Sequence, residues 1–143
     1  MYLDTSALVK LYVAEVAYDS VLAAIQATDL ITISVVGYAE ARSALARRFG
    51  EGRLSLAEYR QVIADLNQDW SAFVHLDVIA QLSHHAGELA EQYGLRGFDA
   101  IHLASALHAA DMFEDVSFLA FDKRLNDAAR KAGLTIYSTS QPG

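Results

Sequence analysis

The chain contains no cysteine, and its only proline, Pro142, stands near the C-terminus. A disulfide framework and thiolate metal sites are therefore excluded, and a reducing compartment fits. No apolar run approaches the roughly 18 residues needed to span a bilayer. The opening MYLDTSALVK has no basic start ahead of an apolar stretch, so it does not read as a signal peptide. The expectation is a soluble, cytoplasmic protein with no membrane role. Basic residues are also scarce, 11 against 18 acids, for a net charge of −7. Taken alone, that balance argues against a nucleic-acid partner, because phosphates repel an acidic surface. Two effects soften the objection. Carboxylates gathered at a metal are neutralised by the cation, and an acidic surface suits a basic protein partner.

What is present is core material. Apolar residues make up 53% of the 143, which rules out a disordered chain and suits one domain over residues 1–143. No linker, repeat or low-complexity segment marks a boundary. Short strand-like runs alternate with helical patterns. The strands are Met1–Leu3, Leu30–Ser34, Ala72–Leu76, Val116–Phe121 and Leu134–Tyr137. Helical spacing covers Ser6 to about Ala27 with a break near Glu15, then Val35–Phe49, Leu56–Trp70, Val78–Tyr93, Phe98–Met112 and Lys123–Lys131. Ser55 is a candidate cap, and Gly133 a stop. Alternation of this kind predicts an α/β fold: a central parallel sheet of about five short strands with helices on both faces.

In such sheets ligands bind beyond the carboxyl ends of the strands. Asp4 follows the first strand, Asp122 ends the fourth, Asp99 begins a helix, and Glu40 lies in the second turn of the helix after LITIS. Each has an ordinary reading: helix cap, dipole partner, ion pair or turn residue. Their shared edge argues otherwise, since crowded carboxylates raise one another's pKa unless a cation lies between them. All-oxygen donors select hard ions such as Mg²⁺ or Mn²⁺.

Three segments, LDTSALVKLY at 3–12, GLRGFDAIHLASAL at 94–107 and FLAFDKRLNDAARKAGL at 118–134, resemble in order the motifs of PIN-domain ribonucleases, above all VapC-type toxins of type II toxin–antitoxin pairs. The likeness covers nearly the whole chain, and Glu40 in SVVGYAEARSAL matches the helix glutamate of the pattern. It implies a divalent-metal site of Asp4, Glu40, Asp99 and Asp122, with Asp4 and Asp99 as the direct ligands and Ser6 in support. It further implies hydrolysis of RNA to a 5′-phosphate and a 3′-hydroxyl, a homodimer, and silencing by a small antitoxin. One position departs: many relatives carry threonine or serine where this chain has Ala120, which leaves Asp122 with the least defined role.

Lys10, Arg42, Arg47, Arg48, Arg96, Lys123 and Arg124 are candidates for gripping RNA, with a solvated, salt-bridged surface as the alternative. Single-stranded or looped RNA suits base reading better than duplex. The histidines read as structural or surface groups. His84 and His85 are adjacent, and His102 and His108 are six apart, poor spacings for one ion; only His102 lies close to an acid. Serine-hydrolase, dinucleotide and P-loop motifs are missing. Two rival readings remain. One is a catalytically silent binding module of the same fold. The other is a receiver-like phosphotransfer domain using Asp77.

Overall fold

A computed structural model describes residues 1–13 and 17–138. The expected break near Glu15 and the tail with Pro142 lie outside those residues. Five strands, β1 (Tyr2–Leu3), β2 (Thr32–Ser34), β3 (Val74–Leu76), β4 (Ser117–Leu119) and β5 (Thr135–Ile136), form one sheet in the order β3-β2-β1-β4-β5. Every pairing is parallel. The helices are α1 (Thr5–Lys10), α2 (Tyr18–Gln26), α3 (Val36–Gly50), α4 (Leu56–Trp70), α5 (Ala80–Tyr93), α6 (Gly97–Met112) and α7 (Lys123–Lys131). The expected α/β architecture is thus present, with strand and helix ends displaced by at most two residues and the first helical stretch divided into α1 and α2.

Strand alternation explains the two layers of helix. Tyr2 and Phe118 go to one face, and their neighbours Leu3 and Leu119 go to the other; all four are essentially inaccessible to solvent. The Tyr2 and Phe118 rings stack at 5.8 Å and pack with Leu82, Leu89, Leu103 and Leu125 from α5, α6 and α7. Leu3, Ile33 and Leu119 pack with Leu8, Val21, Leu45 and Leu66 from α1 to α4. A strand so short must be apolar at each position when both faces are covered.

Local signals set the helix ends. Ser55 accepts from the Glu58 amide at 3.1 Å while Glu58 Oε1 accepts from the Ser55 amide at 3.1 Å, the capping box suggested by Ser55. Gly133, at φ +99°, ends the last helix in a conformation that side chains resist.

The chain winds one way through β1, β2 and β3, then returns past β1 to β4 and β5. The order therefore reverses between β1 and β4, and a doubly wound sheet opens a crevice at that seam. No helix among the described residues is long and apolar enough to cross a membrane.

Where α3 crosses β2 the packing is close. A β-carbon at Gly37 would stand 2.9 Å from Ile33 Cδ1 and 3.6 Å from Thr5 Oγ1. Gly37→Ala is expected to lower stability by about 1–3 kcal/mol, the usual cost of overpacking. Urea denaturation measures it, and an unchanged midpoint would mean that Ile33 yields freely.

Candidate metal centre at the strand seam

The Asp4 amide donates to the Leu119 carbonyl at 3.0 Å, so the β1–β4 ladder runs up to the aspartate itself. Its carboxylate consequently emerges at the seam, only 5% exposed. Asp4 also caps α1: Oδ2 accepts from the Ser6 amide at 3.3 Å and from Ser6 Oγ at 2.7 Å. Ser6 Oγ in turn accepts from the Phe121 amide at 3.0 Å. One hydroxyl thus ties the first acid to the segment after β4. Beyond that segment the exposed Asp122 caps α7, accepting from the Leu125 amide at 2.9 Å. Ala120, where a hydroxyl side chain was expected, has its carbonyl held by Asn126 Nδ2 at 2.9 Å.

Glu40 projects from α3 toward the same seam. Its Oε1 accepts from Thr5 Oγ1 at 2.8 Å and lies 2.6 Å from His102 Nε2. The arginine pairing considered for Glu40 does not form; Arg42 instead donates to Tyr38 Oη at 2.8 Å, on the side of α4. Asp99 stands in the first turn of α6, three residues before His102 and therefore on the same helix face.

Of the structural and surface roles considered for the histidines, His102 takes the structural one, and it does so beside the acids. It is fully buried, and its Nε2 is 3.6 Å from Asp4 Oδ1 and 3.0 Å from Thr5 Oγ1. Nδ1 is 2.7 Å from Tyr2 Oη, which accepts from the Ser34 amide at 3.2 Å. The Ser34 N–H donates to Tyr2 Oη, and the imidazole bridges Tyr2 on its Nδ1 side and Glu40 on its Nε2 side. The three-residue step from Asp99 was the available signal. For Tyr2 and Thr5, which were not singled out, the sequence carried no signal beyond strand and cap propensity. The remaining histidines keep ordinary roles: His75 stacks on Trp70 at 4.6 Å, while His84, His85 and His108 are exposed.

Electrostatics bind the group together. Burial pulls the His102 pKa down, but the Glu40 hydrogen bond and the charges of Asp4, Glu40 and Asp99 outweigh it and raise it above 6.5. Burial alone would raise Glu40; the His102 and Thr5 contacts hold it below 4.5. Asp99 is raised above 3.8 by partial burial and then by the charges of Asp4, Asp122 and Glu40. A lone acid at a helix start would be lowered by the dipole. The opposite shift reflects partial burial first and the charges of Asp4, Asp122 and Glu40 second, so Asp99 lies within the field of the other three acids.

The basic candidates divide. Lys10 stands over the Phe121 ring at 4.9 Å and, with Arg48, lines a cleft that includes Ser6 and Asp122. Arg96 borders Asp99. Lys123 and Arg124 follow Asp122, and Arg124 donates to the Gly94 carbonyl at 3.3 Å. Arg47 is exposed toward the far end of α3, and Arg42 is turned away from the acids.

The acids offer only oxygen donors, and His102 offsets only part of their charge, which fits a hard divalent ion. Among the described residues no three acids or imidazoles already stand about one point as ligands would.

The chain belongs to the PIN domain family, whose model matches residues 1–131. It is similar to two Mycobacterium tuberculosis proteins named Ribonuclease VapC45 and Ribonuclease VapC49. Each is 34% identical over 136 residues, covering 95% of this chain and 93% of the relative. The fold is similar to that of M. tuberculosis VapC20, described as a sarcin-ricin loop cleaving toxin, with a TM-score of 0.68. The identity there is 17%, over 94% of this chain and 95% of that one. It is also similar to VapBC2 of Rickettsia felis, solved with a DNA fragment from its promoter. The TM-score is 0.62 and the identity 20%, over 95% of this chain and 96% of that one. The receiver reading is overturned. It needs Asp77 near the first strand, whereas β3 lies at the sheet edge with β2 in between.

Tyr2→Phe removes the one hydroxyl that serves both the Ser34 amide and His102 Nδ1. The expected loss is about 1–3 kcal/mol, the cost of leaving buried polar groups without partners. Thermal unfolding measures it, and a loss near zero would show that the ring, not the hydroxyl, holds His102.

Proposed function

We propose that this protein is a divalent-metal-dependent endoribonuclease and the toxin of a toxin–antitoxin pair, acting in the cytoplasm as a homodimer. The observation that supports this reading is that Asp4 and Glu40 meet at His102, while the charges of Asp4, Asp122 and Glu40 add to the burial that raises Asp99. The ribonuclease names of its 34%-identical relatives support the reaction class. The VapBC2 complex supports a small antitoxin partner, which would cover the acids with a basic or bulky segment.

Asp4 and Asp99 are the direct ligands of Mg²⁺ or Mn²⁺, with Glu40 and Asp122 completing the shell or holding its water. When bound, the ion supplies charge against the phosphodiester and acidifies a water, and the products are a 5′-phosphate and a 3′-hydroxyl. The chain's own part is positioning. Ser6 orients Asp4. Thr5 and His102 hold one oxygen of Glu40, leaving the other free to face the substrate side. No side chain serves as a covalent nucleophile, so geometry and charge supply the rate.

With Mg²⁺ or Mn²⁺ and a structured RNA, the purified protein is expected to cleave. A chelator or Asp4→Ala should cut the rate by roughly a hundredfold or more, the scale of several kcal/mol of lost charge stabilisation. Cleavage indifferent to both would point to a contaminant and sink the reading; absence of any cleavage would favour a silent binding module.

Asp99 gives a second, activity-independent test. Because its folded pKa is raised, the stability it contributes is present below 3.8 and is lost as pH rises through the folded value. At neutral pH its charge is a net cost in metal-free protein. Asp99→Asn should therefore raise the metal-free melting temperature while abolishing both cleavage and the stabilisation by Mg²⁺ or Mn²⁺. A lower melting temperature would contradict the repulsive cluster.

A further inference from the structure

Phe98 is 57% exposed, although Leu95 and Ala100 on either side of it in sequence are buried. Single exposed apolar residues are ordinary, so exposure by itself says little. Place is what distinguishes this one. Phe98 lines an open cleft of about 540 Å³ with Arg96, Gly97 and Ile101, whose remaining walls are Glu40 and Asp99. The other large exposed apolar side chains lie elsewhere: the Phe49 ring stacks on Tyr59 at 4.8 Å, Leu56 opens α4, and Ile79 and Met112 line a cleft beside β3. On the Asp122 side of the acids lies a second cleft of about 360 Å³, lined by Thr5, Ser6, Lys10, Arg48 and Phe121 among others. The linings of the two clefts touch, since Thr5 in the second donates to Glu40 in the first at 2.8 Å.

A polyanion crossing the carboxylates thus meets cations on one side. On the other it meets an aromatic face with one arginine two residues before it in sequence. We propose that the cleft of Arg96, Phe98 and Ile101 is a nucleobase subsite, in which an unpaired RNA base beside the scissile bond stacks on Phe98 and its phosphate meets Arg96. The subsite rests on the ribonuclease reading above and adds what that reading lacks, a reason for preferring unpaired substrate. Stacking needs a base free of its helix, and every base has a π-face to offer. A base held there would fix the adjoining phosphodiester over Asp99 and Glu40, so that binding energy away from the reacting bond orients it.

The test compares Phe98→Leu, which keeps apolar bulk but removes the ring, with Phe98→Trp, which restores a ring. Each is assayed on a short single-stranded RNA with Mg²⁺ or Mn²⁺, and on the same RNA made abasic at either position next to the cut. The subsite predicts that Phe98→Leu lowers kcat/KM roughly five- to a hundredfold, mainly through KM, and that Phe98→Trp recovers it. It also predicts that the penalty vanishes on the RNA lacking the base on one side of the cut. Equal kcat/KM for Phe98→Leu and wild type overturns the subsite, as does a penalty that persists on both abasic RNAs. An effect confined to self-association or to capture by a protein partner assigns the ring to a protein interface and overturns it too. If the wild-type protein cleaves no RNA with either metal, the ribonuclease reading itself fails and the subsite falls with it; wild-type cleavage with an indifferent Phe98 discards the subsite alone.

Discussion

A single imidazole with no access to solvent joins the parts of this site. His102 reaches Tyr2 in β1, Thr5 in α1 and Glu40 in α3, and it lies within 3.6 Å of Asp4. Carboxylates drawn together at a sheet edge repel, and a partly buried charge is costly unless it is hydrogen-bonded or paired. His102 offsets part of that cost, and its own pKa rises for the same reason. The compensation is incomplete, as the raised Asp99 shows. The protein therefore holds residual negative charge at its seam, the condition under which a divalent cation is the natural counter-charge.

The same arrangement reconciles a net charge of −7 with a polyanionic substrate. Acidity concentrated at one point differs from acidity spread over a surface, because a bound ion can cancel the first but not the second. The cations follow this division. Lys10, Arg48, Arg96, Lys123 and Arg124 border the acids or follow them closely in sequence, whereas Arg42 faces Tyr38. Grip on a phosphate chain is a matter of where eleven basic residues stand, not of how few they are.

Two of the ordinary readings of the acids hold in the structure and are compatible with the proposed one. Asp4 and Asp122 are helix caps, and in each the capping bonds engage one oxygen: Ser6 takes Oδ2 of Asp4, and the Leu125 amide takes Oδ1 of Asp122. A cap fixes a carboxylate in direction without consuming its charge. In this protein the element that starts a helix and the element that faces the seam are the same side chain.

The strand and helix sequence and the parallel sheet were legible from the chain itself, as was the position of Asp4 and Asp122 just past strand ends. Each rests on local pattern: strand-like runs of three to six and helical spacing. Ser55 and Gly133 were readable for the same reason, since capping and left-handed turns are matters of a few neighbouring residues. His102, Thr5 and Tyr2 were not, because their meaning lies in contacts 35 to 100 residues away in sequence. Only the strand order decided that β1 and β4 would be neighbours and β3 an edge, which placed Asp4 and Asp122 at one seam and removed Asp77 from it. Local chemistry selects an element; the packing of both sheet faces decides which elements stand side by side, and that juxtaposition is what turns separate acids into one charged pocket.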